Sequence, residues 1–260
     1  MQKINYTKQF IDYVNYCNNN NLYVGSGNPE AKIAIIGKEV AIDSEKSISE
    51  FNQYNNETAL WLKNIENKTQ LNEVKSWFDS NPVFNPLYPY KGQKNIVETH
   101  TKKGVKGKGG TSKTWHNYQK IADGLTTETS SNSINFHEHI FCTELNNIPA
   151  KYSHEINKDI RKKSIENRLP LFELDFFDQF DVIIVAAGHY IRDFNINLEN
   201  IFNVRYNHEL SQELSLGLNK EYINIHQHNT NPNKILIHTN QLSMVSNELI
   251  NRLIKTIKKG

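Results

Sequence analysis

Four short apolar runs constrain what this chain can fold into more than any other feature. They are Ile33-Ala34-Ile35-Ile36, His139-Ile140-Phe141-Cys142, Val182-Ile183-Ile184-Val185 and Ile235-Leu236-Ile237, and each is followed by a Gly, Asn or His turn. A strand with one wet face alternates apolar and polar residues. Unbroken apolarity instead marks a strand covered on both faces, the condition of a parallel sheet flanked by helices. Helical patterns fill the intervals. Leu60, Trp61, Leu62, Ile65, Val74, Trp77 and Phe78 fall at helical spacing across 57–79, and Trp115, Tyr118, Ile121 and Ala122 form a second stripe with Thr111 or Ser112 as its N-cap. Val245, Leu249, Ile250, Leu253, Ile254 and Ile257 make the apolar face of a last helix whose final turn carries Lys255, Lys258 and Lys259. A first helix is expected around Phe10, Ile11 and Val14, and an edge strand over Glu221–His226. No repeat and no linker divides the chain. The expectation is one α/β domain over 1–260 with inserted loops at 81–113, built as three α/β/α layers around a central four-stranded, mainly parallel sheet.

Composition narrows the classes of function. Thirty Lys and Arg against 28 Asp and Glu leave a net charge of +2 over 260 residues. Bulk charge therefore does not announce a nucleic-acid binder, and any such face has to come from local segregation of charge. Cys17 and Cys142, the two cysteines, give no disulfide framework and no iron–sulfur or zinc site of their own. The histidines show no metal-ligand pattern. No signal-peptide run opens the sequence, and no stretch approaches the ~20 apolar residues of a membrane span. A cytoplasmic protein without membrane contact is expected.

The chemistry concentrates at the ends of the apolar runs. Lys234 to Ser243 reads as a strand ending in His238, a polar turn, then Leu242 and Ser243 at the head of a helix. This puts an imidazole at the carboxyl end of a sheet, where open α/β folds keep their ligands, and sets Leu242 at the rim of the same site. Either residue could equally be an ordinary core contact. The first run ends Ile36-Gly37-Lys38-Glu39, presenting Glu39 at the same edge to orient a water and stabilise positive charge, or simply to cap the next helix. The second continues to Glu144, Asn146 and Asn147, which sit where a bound ring could be read by hydrogen bonds, or where an Asx turn ends at Pro149. Residues 101–113 hold Lys102, Lys103, Lys106, Lys108 and Lys113 among four glycines with no acid. Such a loop is either a solvated tip or a phosphate grip running into a helix N-terminus. Its spacing is not that of a Walker A loop.

Taken in order, Ile36-Gly37-Lys38-Glu39, Phe141 to Asn147, Val182 to Gly188, and His238-Thr239-Asn240-Gln241-Leu242-Ser243 resemble the motifs of the uracil-DNA glycosylase superfamily. The resemblance implies that family's fold and roles. Glu39 falls on the water-orienting acid or amide, and His238 on the histidine that stabilises the departing base. Leu242 falls on the leucine that fills the gap left by a flipped nucleotide, and Glu144 lies near the asparagine that reads uracil, with Asn146 as the other candidate reader. The lysines of 101–113 and Ser243 would contact the DNA backbone. The chain departs from the family pattern at Val40, where proline is usual, and at Thr239-Asn240, where Pro-Ser is common. It also lacks the cysteines of the iron–sulfur branches.

Glycosidic cleavage builds positive charge on the sugar and negative charge on the base, which a carboxylate and an imidazole on opposite sides would stabilise. An ionised Glu144 could only accept hydrogen bonds, which suits the exocyclic amine of a cytosine-type base. The expectation is therefore a monomeric, monofunctional DNA glycosylase with no metal or cofactor. It would excise a modified or damaged base, such as a modified cytosine or uracil, in repair or antiviral defence. The competing readings are a non-catalytic protein of the same fold that recognises distorted or modified DNA, and a small-molecule hydrolase on a flavodoxin-like sheet.

Overall fold

A computed structural model describes residues 3–42, 48–77, 84–96, 111–126, 132–216 and 219–259. In chain order the elements are α1 (Lys8–Asn20), β1 (Ser26–Gly27), β2 (Ile33–Gly37), α2 (Ile48–Asn55), α3 (Glu57–Asn67), α4 (Lys113–Leu125), β3 (Ile140–Glu144), α5 (Lys158–Arg168), β4 (Val182–Val185), α6 (Tyr190–Asp193), α7 (Leu198–Ile201), β5 (Val204–Leu216), β6 (Asn219–His228), β7 (Ile235–Thr239) and α8 (Asn247–Ile257). The strands form one mixed sheet in the order β1-β3-β2-β4-β7-β6-β5.

All four apolar runs are neighbours in this sheet. β3, β2, β4 and β7 pair in parallel, with Ile35 beside Cys142 and Ile184, and Ile184 beside Ile237. The expected four-stranded sheet is corrected to seven strands, because antiparallel additions extend both sides: β1 on β3, and the β5–β6 hairpin on β7. The strand expected near 221–226 is the middle of β6, and it is not an edge because β5 covers it. β5 escaped the apolar-run criterion. Its sequence, Val-Arg-Tyr-Asn-His-Glu-Leu-Ser-Gln-Glu-Leu-Ser-Leu, carries the polar alternation of a half-wet strand.

Alternate strand residues feed two separate cores. Ala34, Ile36, Phe141, Ile183, Val185 and Leu236 pack toward α1, Trp61 and the phenylalanines of 172–180. Ile35, Ile140, Val182, Ile184, Ile235 and Ile237 pack toward α4 and α8. Helices therefore cover both faces, which is why these strands can be apolar throughout. The first core is aromatic: Phe10 meets Trp61 edge-on at 5.0 Å, and Phe141 meets Phe176 at 5.2 Å. Ser112 caps α4 by accepting from Trp115 N, as expected, and Ser246 caps α8. The helical stripe read across 57–79 is shorter than expected. α3 stops at Asn67, where Lys68 turns left-handed at φ 51°, and the chain continues as turns.

One buried cation ties these parts together. Arg168, the last residue of α5, is 0 % exposed. Its Nε donates to the Glu144 carbonyl at 2.9 Å, Nη1 to the Tyr23 carbonyl at 2.7 Å and to Asn147 Oδ1 at 3.1 Å, and Nη2 to Thr143 Oγ1 at 3.0 Å. The end of β3 and the loop after α1 are thus held by one guanidinium. Replacing it strands several buried acceptors, each costing about 1–3 kcal/mol. Arg168→Met should lower unfolding free energy by roughly 3 kcal/mol or more, read as the urea midpoint; an unchanged midpoint would contradict this role.

Candidate active site

The strand order reverses between β2, whose chain leads to β3 on one side, and β4, whose chain leads through β5 and β6 to β7 on the other. In open α/β sheets the crevice outside the carboxyl ends at such a point is the usual ligand site. A cleft of about 360 Å³ lies there, lined by Glu39, Glu57 and Glu144, by Lys38, and by the rings of Tyr23, Tyr54, Phe84, Tyr90, Trp115 and Tyr118. That volume falls near the lower end of small-molecule pockets, about 300–1,000 Å³. A second cavity of about 570 Å³ sits between the β5–β6 hairpin and α8, beside Ile235 at the opposite end of β7.

Backbone pairing continues past the strand ends and sets the acids. Leu145 N donates to Gly37 O at 3.0 Å, and Asn146 N to Lys38 O at 2.8 Å. Gly37 and Glu144 are register partners. A Cβ at Gly37 would meet the Glu144 carboxyl, so glycine leaves room for that side chain in its present position. Two residues on, the Glu39 carboxylate accepts from Tyr190 Oη at 2.6 Å and from the Ser153 hydroxyl. Arg161 supports this pair by donating to Tyr190 Oη at 3.2 Å. The Lys38 ammonium lies 4.8 Å from the centre of the Tyr190 ring. Burial lowers the Lys38 pKa, with Glu39 opposing.

Glu144 lies deep in the cleft, and its Oε2 is buried with no hydrogen-bond partner among the described residues. Burial, reinforced by the charge of Glu39 and opposed by Arg168, pushes its carboxyl up to about 8. These surroundings oppose the ionised, accept-only Glu144 of the sequence reading. The shift runs toward the neutral acid, because the site supplies little to replace water around a negative charge.

Other expected site residues are distributed differently. Asn146 is fully buried, and its Oδ1 accepts from Ile148 N at 3.1 Å, so the Asx-turn alternative describes it and it does not line the cleft. Asn147 is structural: its Oδ1 accepts from Tyr23 N and Arg168. His238 is the penultimate residue of β7, in register with Val185, on the same sheet edge as Glu39. Its ring is turned from the cleft, however. Nε2 is 2.9 Å from the Gly188 carbonyl and 3.0 Å from Tyr222 Oη, and His238 is not among the lining residues. Burial lowers its pKa and the Gly188 carbonyl opposes this, which favours a neutral imidazole that donates to Gly188. The expected meeting of Glu39 and His238 across one cleft is thus corrected: Glu39 lines it, and the backbone of the β4–α6 turn takes up the imidazole.

Leu242 is corrected as well. It is 0 % exposed inside the α4–α8 core, and its carbonyl accepts from Asn117 Nδ2 at 2.7 Å. Tertiary packing turned this residue inward, and the apolar group left outside on the same loop is Met244, 85 % exposed. Gln241 lines the cleft, and Ser243 is half-buried. Lys113 is exposed at the first position of α4, next to the cleft-lining Ser112 and Thr114. Lys102, Lys103, Lys106 and Lys108 lie outside the described residues.

Sequence reasoning missed Glu57 and the tyrosine wall. Glu57 opens α3 and accepts from Val24 N at 3.0 Å, Gly25 N at 2.9 Å and Trp61 Nε1 at 3.0 Å. Burial raises its carboxyl to about 8, against the pull of these three donors. An acid in a first helical turn reads as a dipole partner, so nothing local distinguishes this one. Tyr23 and Tyr54 stack at 4.8 Å with rings 20° apart, although they are far apart in the chain. Among the described residues no group of three or more His, Cys, Asp and Glu could hold a metal ion, and no helix is long and apolar enough to cross a membrane. The chain matches no protein-family model and no curated protein.

Leu242 offers a direct check on these placements. As a core residue, Leu242→Ala should cost about 2–5 kcal/mol of stability, measured by urea unfolding. A rim residue would leave the midpoint unchanged.

Proposed function

We propose that this protein is a DNA glycosylase with a uracil-DNA-glycosylase-like core, which takes an extruded base into the cleft at the carboxyl edge of its parallel strands and hydrolyses the N-glycosidic bond. The observation that carries this reading is the pair Glu39 and Glu144, delivered by adjacent strand ends into one aromatic-walled cleft. The order β3-β2-β4-β7 and the helical cover on both faces support the same family likeness as the motifs.

The chemistry follows from the position of each group. An extruded base gains stacking against the rings of the cleft, which offsets part of the few kcal/mol lost on leaving the duplex. The Glu39 carboxylate, oriented by Tyr190 and Ser153, faces the sugar, where it stabilises the growing positive charge and directs the attacking water. Glu144 meets the base edge. Negative charge on the departing base is balanced by the partly desolvated Lys38 ammonium. His238 acts as a positioning residue that holds the turn after β4 through Gly188. Met244 supplies the apolar wedge first assigned to Leu242, and Lys113 with the basic run at 101–113 holds phosphates next to the α4 N-terminus.

The engagement of His238 by Gly188 favours one second reading: a non-catalytic protein that binds modified or distorted DNA through the same cleft. Turnover separates the two. Duplexes carrying uracil, hypoxanthine or glucosylated hydroxymethylcytosine should be incubated with the protein and assayed for released base and alkali-labile sites. At least one should be cleaved. Glu39→Gln should slow release roughly 100-fold or more while leaving duplex affinity within about threefold of wild type. Binding without release from any of the three duplexes would replace the enzyme reading with the second one.

A further inference from the structure

The three carboxyl groups of the cleft differ in what they touch. Glu57 is met by three N–H donors, and Glu39 by two hydroxyls. Glu144 Oε2 is buried without a partner among the described residues. Arg168 is close by, yet its hydrogens go to the Glu144 carbonyl and to Tyr23, Asn147 and Thr143 oxygens rather than to the carboxyl group. Gly37 backs the carboxyl with no side chain of its own. A buried charge without donors is costly, and the neutral acid avoids that cost. A neutral carboxyl presents one O–H donor beside one acceptor, the hydrogen-bonding pattern of an amide.

Resting on the reading of this cleft as a base pocket, we propose that Glu144 works as the un-ionised acid and selects a nucleobase edge that carries a donor next to an acceptor. A cytosine edge offers its exocyclic amine beside ring N3. A uracil edge offers a ring N–H beside a carbonyl. The carboxyl proton can reside on either oxygen, so one side chain fits both edges once it rotates to bring Oε2 from beside Gly37 into the cleft. An ionised Glu144 would instead demand two donors and reject both.

The surroundings bear on when this state holds. Glu39 adds negative charge and Arg168 adds positive charge, and Lys38 lines the same cleft. Tyr23, Tyr54, Tyr118 and Cys142 also face Glu144, and burial raises the pKa of all four, so they stay neutral across the working range. Glu57 shares the cleft but is committed to its N–H donors. With its carboxyl pushed up to about 8, Glu144 is protonated at pH 6.5 and ionised at pH 9.5.

Two measurements test the proposal. In infrared difference spectra of wild type minus Glu144→Gln, a protonated-carboxyl band should be present at pH 6.5 and replaced by a carboxylate band at pH 9.5. The subtraction isolates Glu144 from Glu57. In calorimetric titrations, free cytosine, which is neutral throughout this range, should bind wild type about 30-fold more weakly at pH 9.5 than at pH 6.5. Glu144→Gln should bind it without pH dependence, within about threefold of wild type at pH 6.5. A carboxylate band already present at pH 6.5, or cytosine affinity that is flat with pH in wild type, would overturn the neutral-acid assignment and leave the base pocket standing. A protonated band combined with no binding of cytosine or uracil at either pH would overturn the base-edge assignment and the functional reading with it. If the Gln variant does not fold, the pH-dependent difference spectrum of wild type against Glu144→Met, which carries no carboxyl, decides the same question.

Discussion

The guanidinium of Arg168 is the interaction on which the site most depends. It is buried at the carboxyl edge of the sheet with neutral oxygens as its hydrogen-bond partners. Those oxygens belong to the end of β3, the turn beyond it and the loop after α1. Burying a cation is expensive, and the cost is recovered only if every donor is used in good geometry. Satisfying Arg168 therefore fixes where Glu144 leaves the sheet and where Tyr23 stands. Four guanidinium hydrogen bonds go to these oxygens and none to the Glu144 carboxyl, which sets that group apart from an ordinary salt-bridged glutamate.

The cleft is organised by what each acid receives rather than by how many acids it holds. Glu57 collects N–H donors and uses them to shape the turn at Val24-Gly25. Glu39 collects hydroxyls from Tyr190 and Ser153 and stands at the point where the strand order reverses. Glu144 has a buried oxygen left open. The difference comes from the wall on which each group sits: Gly37 beside Glu144, and the hydroxyls of Tyr190 and Ser153 around Glu39.

The parallel core was legible because its physical signature is local. Ile33–Ile36, Val182–Val185 and Ile235–Ile237 are apolar at consecutive positions, and only a strand covered on both faces tolerates that. Glu39 and Glu144 were legible for the same reason, since residues that follow buried strands emerge at the carboxyl edge. The β5 strand was not legible, because its alternation is that of a half-wet strand, not an unbroken apolar run. His238 and Leu242 were located correctly along the chain and turned differently in space. The sequence places both at the end of β7, but Gly188 claims the imidazole and the α4–α8 core claims the leucine. Glu57, Tyr23 and Tyr54 gave no local signal at all, since their importance comes from neighbours distant in the chain.

By itself, then, the sequence determined the sheet's parallel strands, the edge at which the cleft opens and two of the acids that line it. Apolar runs and the residues that end them act through short-range physics, the burial of adjacent side chains and the direction in which a strand exits. The tertiary structure alone decided which groups face the cleft and which of them are desolvated there. Side-chain direction depends on competition for buried partners across many elements. A carboxyl group's charge depends on the donors and counter-charges that the completed fold brings, or fails to bring, within reach.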